Sequence, residues 1–140
     1  MTLKEIVQAL ETIASRQPNI HHIVKSGDIY DLNDTDVDYA AFCVTQQQHS
    51  ANSESITFNL TLFYVDRLTD SKDNKLDIQS HAIETLRNIL LTFEEENYYG
   101  VEYTSTMYTT FTQRFLSECA GAYATITVSV PNEGGCAEKF

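Results

Sequence analysis

Residues 122–130 alternate without a break: Ala122, Ala124, Ile126, Val128 and Val130 share one parity, and Tyr123, Thr125, Thr127 and Ser129 the other. Successive side chains of a β-strand point to opposite sides, so this period of two fits a strand with one face buried and one face in polar surroundings. Such a strand needs paired neighbours and a layer over its apolar side. Residues 101–111 read as a second strand. The two are separated by residues 114–121 and form a C-terminal hairpin.

The rest of the chain supplies what that hairpin requires. Thr2-Leu3-Lys4-Glu5 is a capping box, and Leu3, Ile6, Val7, Leu10, Ile13 and Ala14 follow with helical spacing until Pro18 stops the helix near Arg16. Residues 20–25 are a short apolar run broken by His21-His22 and read as a strand. Ser26-Gly27-Asp28 is a turn, after which Ile29-Tyr30 resume the strand.

Residues 39–45 and 56–65 read as the arms of one long hairpin over about 37–68, with a polar, glycine-free tip at 46–53 that is ordered by assembly or not at all. On the second arm Ile56, Phe58, Leu60, Leu62 and Tyr64 share a face. Phe63 and Val65 interrupt the polar parity, so a helix of this chain or a neighbouring subunit must cover that end. After a polar break at 69–74 a second helix runs from about Lys75 to Phe93 on a stripe of Leu76, Ile83, Leu86, Leu90 and Phe93. Glu94-Glu95-Glu96 then sit where the helix dipole disfavours negative charge and read as a solvated helix end.

The order α-β-β-β-α-β-β predicts an α+β fold, an antiparallel sheet of two hairpins with two helices packed on one face. Residues 1–132 form the single domain, and 133–140 a flexible C-terminal tail. At 140 residues with 42% hydrophobic content the chain can build its own core.

Nine basic against twenty acidic residues give a net charge of -11, the wrong sign for gripping nucleic acid or an anionic membrane, and the cations are scattered along the sequence. Cys43, Cys119 and Cys136 form no CxxC pair and read as reduced thiols of a cytosolic product. Lys4, Glu5 and Glu11 interrupt any N-terminal apolar region, and no run approaches ~18 apolar residues. The expectation is no secretion signal and no membrane span.

The chemistry-bearing residues form no recognised site. Asp28, Asp31, Asp34, Asp36 and Asp38 crowd one segment, and Asp34-x-Asp36-x-Asp38 opens like a calcium loop. Tyr39 stands where that loop needs glycine, however, and Thr45 where it needs a bidentate glutamate. His21 and His22 point to opposite faces of a strand, and His49 and His81 have no ligand spacing around them. Cys119 has no histidine or cation beside it in sequence to make a thiolate, and reads as a small buried residue in a turn. Phosphate-cradling and nucleophile-elbow motifs are missing from the sequence. The expectation is a non-enzymatic protein with no cofactor and no metal. The tyrosines and phenylalanines are suited to packing or to subunit contacts, where a rigid ring buries much area at little entropic cost.

The run Phe111-Thr112-Gln113-Arg114-Phe115-Leu116-Ser117-Glu118-Cys119-Ala120-Gly121, the alternating strand after it, then Val130-Pro131-Asn132 and a trailing Cys136, resembles small neck and tail ring proteins of tailed bacteriophages, those of crAss-like phages in particular. The order of elements is similar to the tail-terminator and head–tail joining fold. The resemblance implies a virion structural subunit, assembled in the host cytoplasm, that closes into a six- or twelve-fold ring around the DNA channel. Its partners would be sister copies and adjacent neck, portal or tail proteins, and DNA would pass through without specific binding. On this reading Phe58, Phe63, Tyr64, Tyr98, Tyr99, Tyr108, Phe111, Arg114 and Phe115 are the candidates for the subunit interface. Asp31, Asp34, Asp36 and Asp38 are the candidates for an acidic lumen. The competing expectation is a monomeric acidic binding or inhibitor module.

Overall fold

The computed structural model of the chain describes residues 2–33, 37–96, 102–103 and 107–131. It is a mixed α+β fold of two helices and one seven-stranded sheet. Helix α1 is Leu3–Ser15 and α2 is Lys75–Glu96. The strands are β1 (His22–Val24), β2 (Ala41–Gln46), β3 (Ser50–Ala51), β4 (Ser55–Arg67), β5 (Glu102–Tyr103), β6 (Met107–Arg114) and β7 (Glu118–Pro131).

The capping box forms as the sequence predicts: Thr2 Oγ1 accepts from Glu5 N at 3.2 Å, and Thr2 N donates to Glu5 Oε1 at 2.9 Å. Arg16 is the C-cap of α1. Its guanidinium lies 2.8 Å from Glu96 at the C-terminal end of α2, so Glu96 is paired within the chain.

β4 and β7 are the long central strands, antiparallel from Ser55↔Pro131 to Arg67↔Cys119. β2 and the short β3 pair with the outer edge of β4, β6 and β5 pair with the outer edge of β7, and β1 lies beyond β2. Even-numbered residues of β4 and β7 face the helices. Phe58, Leu60, Leu62, Ala122, Ala124, Ile126 and Val128 pack there against Ile6, Leu10 and Ile13 of α1 and Leu86, Ile89 and Phe93 of α2. A fully buried Leu or Ile contributes about 1.5–3 kcal/mol to such a core. Asn19, in the segment after α1, donates to Tyr64 Oη at 3.1 Å and to Thr85 Oγ1 at 2.9 Å. It thereby satisfies the two hydroxyls that this packing buries.

The structure departs from the sequence reading in several places. β1 runs parallel to β2, so the sheet is mixed and only partly the antiparallel one expected. Ile29 and Tyr30 do not resume a strand but open a 3₁₀ helix, Ile29–Asn33, started by Asp28 Oδ1 accepting from Tyr30 N at 3.0 Å. This helix, with Phe115 from the β6–β7 turn, covers the two-sided end of β4. Ile29, Leu32, Phe115, Val24, Cys43, Val65 and Cys119 form a second, smaller core there, so the cover comes from this chain.

Cys119 lies in β7 rather than in a turn, because β6 and β7 extend toward each other as far as Arg114↔Glu118. The 46–53 tip is ordered within the single chain. Asn59 N donates to His49 Nδ1 at 3.1 Å, and Asn59 Nδ2 to Gln48 O at 2.7 Å. Asn52 Oδ1 accepts from Glu54 N and Ser55 N at 2.7 and 2.8 Å, an Asx turn standing in for the missing glycine. Residues 133–140 lie outside the described residues.

Candidate interaction surface

Odd-numbered residues of β4, β6 and β7 face away from the helices. Half carry hydroxyls or amides, and three carry aromatic rings. Phe63, Phe111 and Tyr123 stand on adjacent strands, with centroids 5.4 Å (Phe63–Tyr123), 6.1 Å (Phe63–Phe111) and 6.2 Å (Phe111–Tyr123) apart. All three are half-buried. Phe111 is paired across the β6–β7 ladder with Gly121.

Between this trio and the 27–30 turn lies an open trough of about 570 Å³, into which Tyr30, Gln47, Thr61 and Gln113 also project. Gly27, at φ +77°, makes the turn in a conformation that other residues rarely adopt. The trough floor is fixed by Gln47 Nε2 donating to Thr61 Oγ1 at 2.6 Å. Tyr30 (58% exposed) packs its ring 6.2 Å from that of Phe115. Beside it Leu116 (53% exposed) hydrogen-bonds through its backbone to Leu32 O. The apolar surface thus runs on past the trough.

The interface candidates read from the sequence fall into separate places. Phe63 and Phe111 are brought together on the open face, and Phe115 lies buried close by under Tyr30. Phe58 and Tyr64 are instead in the helix-side core, which leaves them almost no surface to offer a neighbour. Their even parity on β4 puts them there. Tyr108 packs against the same core, and burial raises its phenol pKa. Arg114 is exposed, 3.7 Å from Glu118. Tyr98 and Tyr99 lie outside the described residues. Tyr123, Tyr30 and Leu116 join Phe63 and Phe111 on the open face without being among the sequence candidates. Tyr123 had a signal, being the one large ring on the otherwise hydroxyl-bearing parity of β7.

Of the lumen candidates, Asp31 is exposed and accepts a hydrogen bond from Ser26, and Asp38 is exposed with Oδ1 3.8 Å from His21 Nδ1. Asp34 and Asp36 lie outside the described residues. Among the described residues no group of His, Cys, Asp and Glu is arranged to hold a metal ion, and no helix is long and apolar enough to cross a membrane.

Cys43 and Cys119 are both buried. Burial, with the charge of Asp28 adding to it, pushes the Cys43 thiol up to about 12, and burial also raises Cys119. Both are protonated near neutrality and are not nucleophiles. The cations are less scattered than the sequence implies. Lys72, Lys75 and Arg114 line one depression together with Glu118, and Arg67 joins Arg114 in the adjoining one. Lys72 Nζ, 3.0 Å from Glu118, holds that carboxyl below its ordinary value.

No protein-family model matches the chain, and no curated protein matches it.

Proposed function

We propose that this chain is a structural subunit that associates with its own copies into a closed ring, in the manner of the neck and tail-terminator rings of tailed phages that its C-terminal run resembles. The observation that carries the reading is the open sheet face. The Phe63–Phe111–Tyr123 cluster is half-exposed, with Phe63 and Phe111 resting on the second core along one side and an open trough beside them, and Tyr30 and Leu116 extend it. Contiguous apolar surface of this kind on a small protein marks an interaction site.

Taken as a tail-terminator-like wedge of two hairpins under two helices, the chain has in the exposed 46–54 tip of its 37–68 hairpin the part that reaches onto the next subunit, β2 and β4 themselves lying inside the sheet. A ring of six or twelve copies, each at -11, presents carboxylates such as Asp31 to the channel, and DNA slides past without being held. Portal, neck or tail proteins stack above and below, which places the chain in the virion.

Light scattering of the purified chain over a wide concentration range, with electron micrographs of the same samples, tests the reading. The expected result is closed rings, and Phe111→Ser reduces them without unfolding the chain. A monomer at every concentration and salt level would refute self-assembly and leave the monomeric acidic binding module.

A further inference from the structure

Among the described residues the two outer edges of the sheet stand at the same level. Three residue rows cross it from β1 to β6: His22–Ala41–Val65–Gly121–Phe111, Ile23–Phe42–Tyr64–Ala122–Thr110 and Val24–Cys43–Phe63–Tyr123–Thr109. Strand direction reverses between β2 and β4, between β4 and β7, and between β7 and β6, but not between β1 and β2. β6 therefore runs antiparallel to β1. A second copy set beside the first in the same rows brings its β1 against β6 antiparallel, the more stable way to pair two strands.

Both edges are suited to accept a strand. Met107 to Gln113 carry no charge, and Tyr108, Thr109, Thr110, Phe111 and Thr112 all favour strands. Edge strands are ordinarily blunted by lysine, proline or a bulge, and this stretch has no lysine or proline and a regular register throughout. The hydrogen bond described from α2 to this strand is Gln79 Nε2 to Phe111 O, 3.3 Å, which an added strand can displace.

On the other side a groove of about 260 Å³ follows β1, its floor apolar at Ile23, Val24, Leu32 and Val37 and its end charged at Lys25 and Asp31. Charges are complementary at one end of the junction. Continuing the rows, His21 of the next copy falls opposite Thr112, and Asp38, 3.8 Å from that histidine, comes to the end of the junction where Arg114 stands exposed.

We infer that the sheet continues from copy to copy, β6 of one chain adding antiparallel to β1 of the next with Phe111 beside His22, Thr110 beside Ile23 and Thr109 beside Val24. The inference rests on the ring reading and names the contact that builds it. The contact is heterologous, the kind whose repetition closes a ring when the rotation per copy permits.

A disulfide trap tests it. Within one chain Ile23 and Thr110 are four strand spacings apart, roughly 19 Å, far beyond bridging. The variant Ile23→Cys/Thr110→Cys, made in a Cys136→Ser background, is oxidised mildly and run on non-reducing gels. A ladder of dimers, trimers and larger species is expected, with neither single-cysteine variant giving one. A dimer from Thr110→Cys alone means that β6 pairs with itself about a two-fold axis, which overturns the inference. Rings in micrographs without a ladder overturn this contact and leave the ring reading standing, whereas the loss of both rings and ladder ends both.

A charge exchange that spares the fold provides the second measurement, since Arg114 and Asp38 are exposed. Arg114→Glu weakens association roughly fivefold, and Asp38→Arg added to it restores the wild-type value to within about twofold. Association unchanged by the first substitution, or not restored by the second, also overturns the inference.

Discussion

Placing a methyl group on Gly121 sets intrinsic preference against geometry, with opposite signs expected. In the interior of a strand, alanine is favoured over glycine by about 0.5–1 kcal/mol, because glycine loses more backbone freedom on folding. Propensity alone therefore makes Gly121→Ala stabilising. In the structure Gly121 is buried and paired with Val65 in the β4–β7 ladder. Its added β-carbon would overlap the Tyr64 carbonyl oxygen outright, lie 2.9 Å from the Tyr64 carbonyl carbon and lie 3.2 Å from the Val65 Cα. All three are backbone atoms, so no side chain can rotate aside.

Relief requires parting the two central strands, which carry β2 and β6 on their outer edges. Overpacking costs about 1–3 kcal/mol where side chains can adjust. With only backbone to move, the upper end applies, and the net loss after the propensity gain is about 2–2.5 kcal/mol. That is a large share of a typical domain stability of about 5–15 kcal/mol. Urea unfolding followed by circular dichroism measures it. Ala122→Gly, one residue on and fully buried toward the helices, is the control and should cost about 1 kcal/mol. A Gly121→Ala variant as stable as wild type, or more so, refutes the close approach of β4 and β7.

Two further predictions concern the helices. Thr2→Ala removes the hydroxyl that caps α1 and should cost about 1 kcal/mol, with the loss read in the same urea titration. An unchanged midpoint would mean that the box contributes nothing in solution. Glu11 is buried on α1, and desolvation raises its carboxyl above the ordinary value, with Lys25 at 3.9 Å offsetting only part of this. A carboxyl raised on folding gives stability that is present in acid and lost as pH rises through its folded value. Glu11→Gln should therefore be near neutral at about pH 4 and stabilising at about pH 7. A difference that shrinks with rising pH contradicts that account.

Local rules carried much of the fold. The capping box and the i, i+3, i+4 spacing after it specify α1, and alternation specifies which side of β4 and β7 the helices cover. The 3₁₀ helix at 29–33 also left a trace: its buried residues, Ile29 and Leu32, are three apart, a spacing for a helical turn and not for a strand. The direction of β1 left none, because a three-residue strand has the same pattern whichever way it runs. Parity also argues against Phe58 and Tyr64 as interface residues, since both share the apolar face of β4 with Leu60 and Leu62. The clustering of Arg67, Lys72, Lys75 and Arg114 depends on where the β4–α2 connection and the β6–β7 turn meet, which no local pattern encodes.

Net charge limits where such a chain can meet itself. Copies at -11 repel over roughly the 8 Å Debye length of physiological salt, so lasting contact is confined to surface that brings no carboxylate against another. Along the sheet edges that condition is met by Met107–Gln113 and by His22–Val24, with the ring-bearing open face beside them. The same repulsion penalises most other ways of packing two copies, so an acidic surface and an unblunted edge strand are compatible in one protein. On the proposed β6–β1 contact, carboxylates elsewhere perform the protective task that lysine or proline would perform on the strand itself, and the edge is reserved for the one partner whose charges fit.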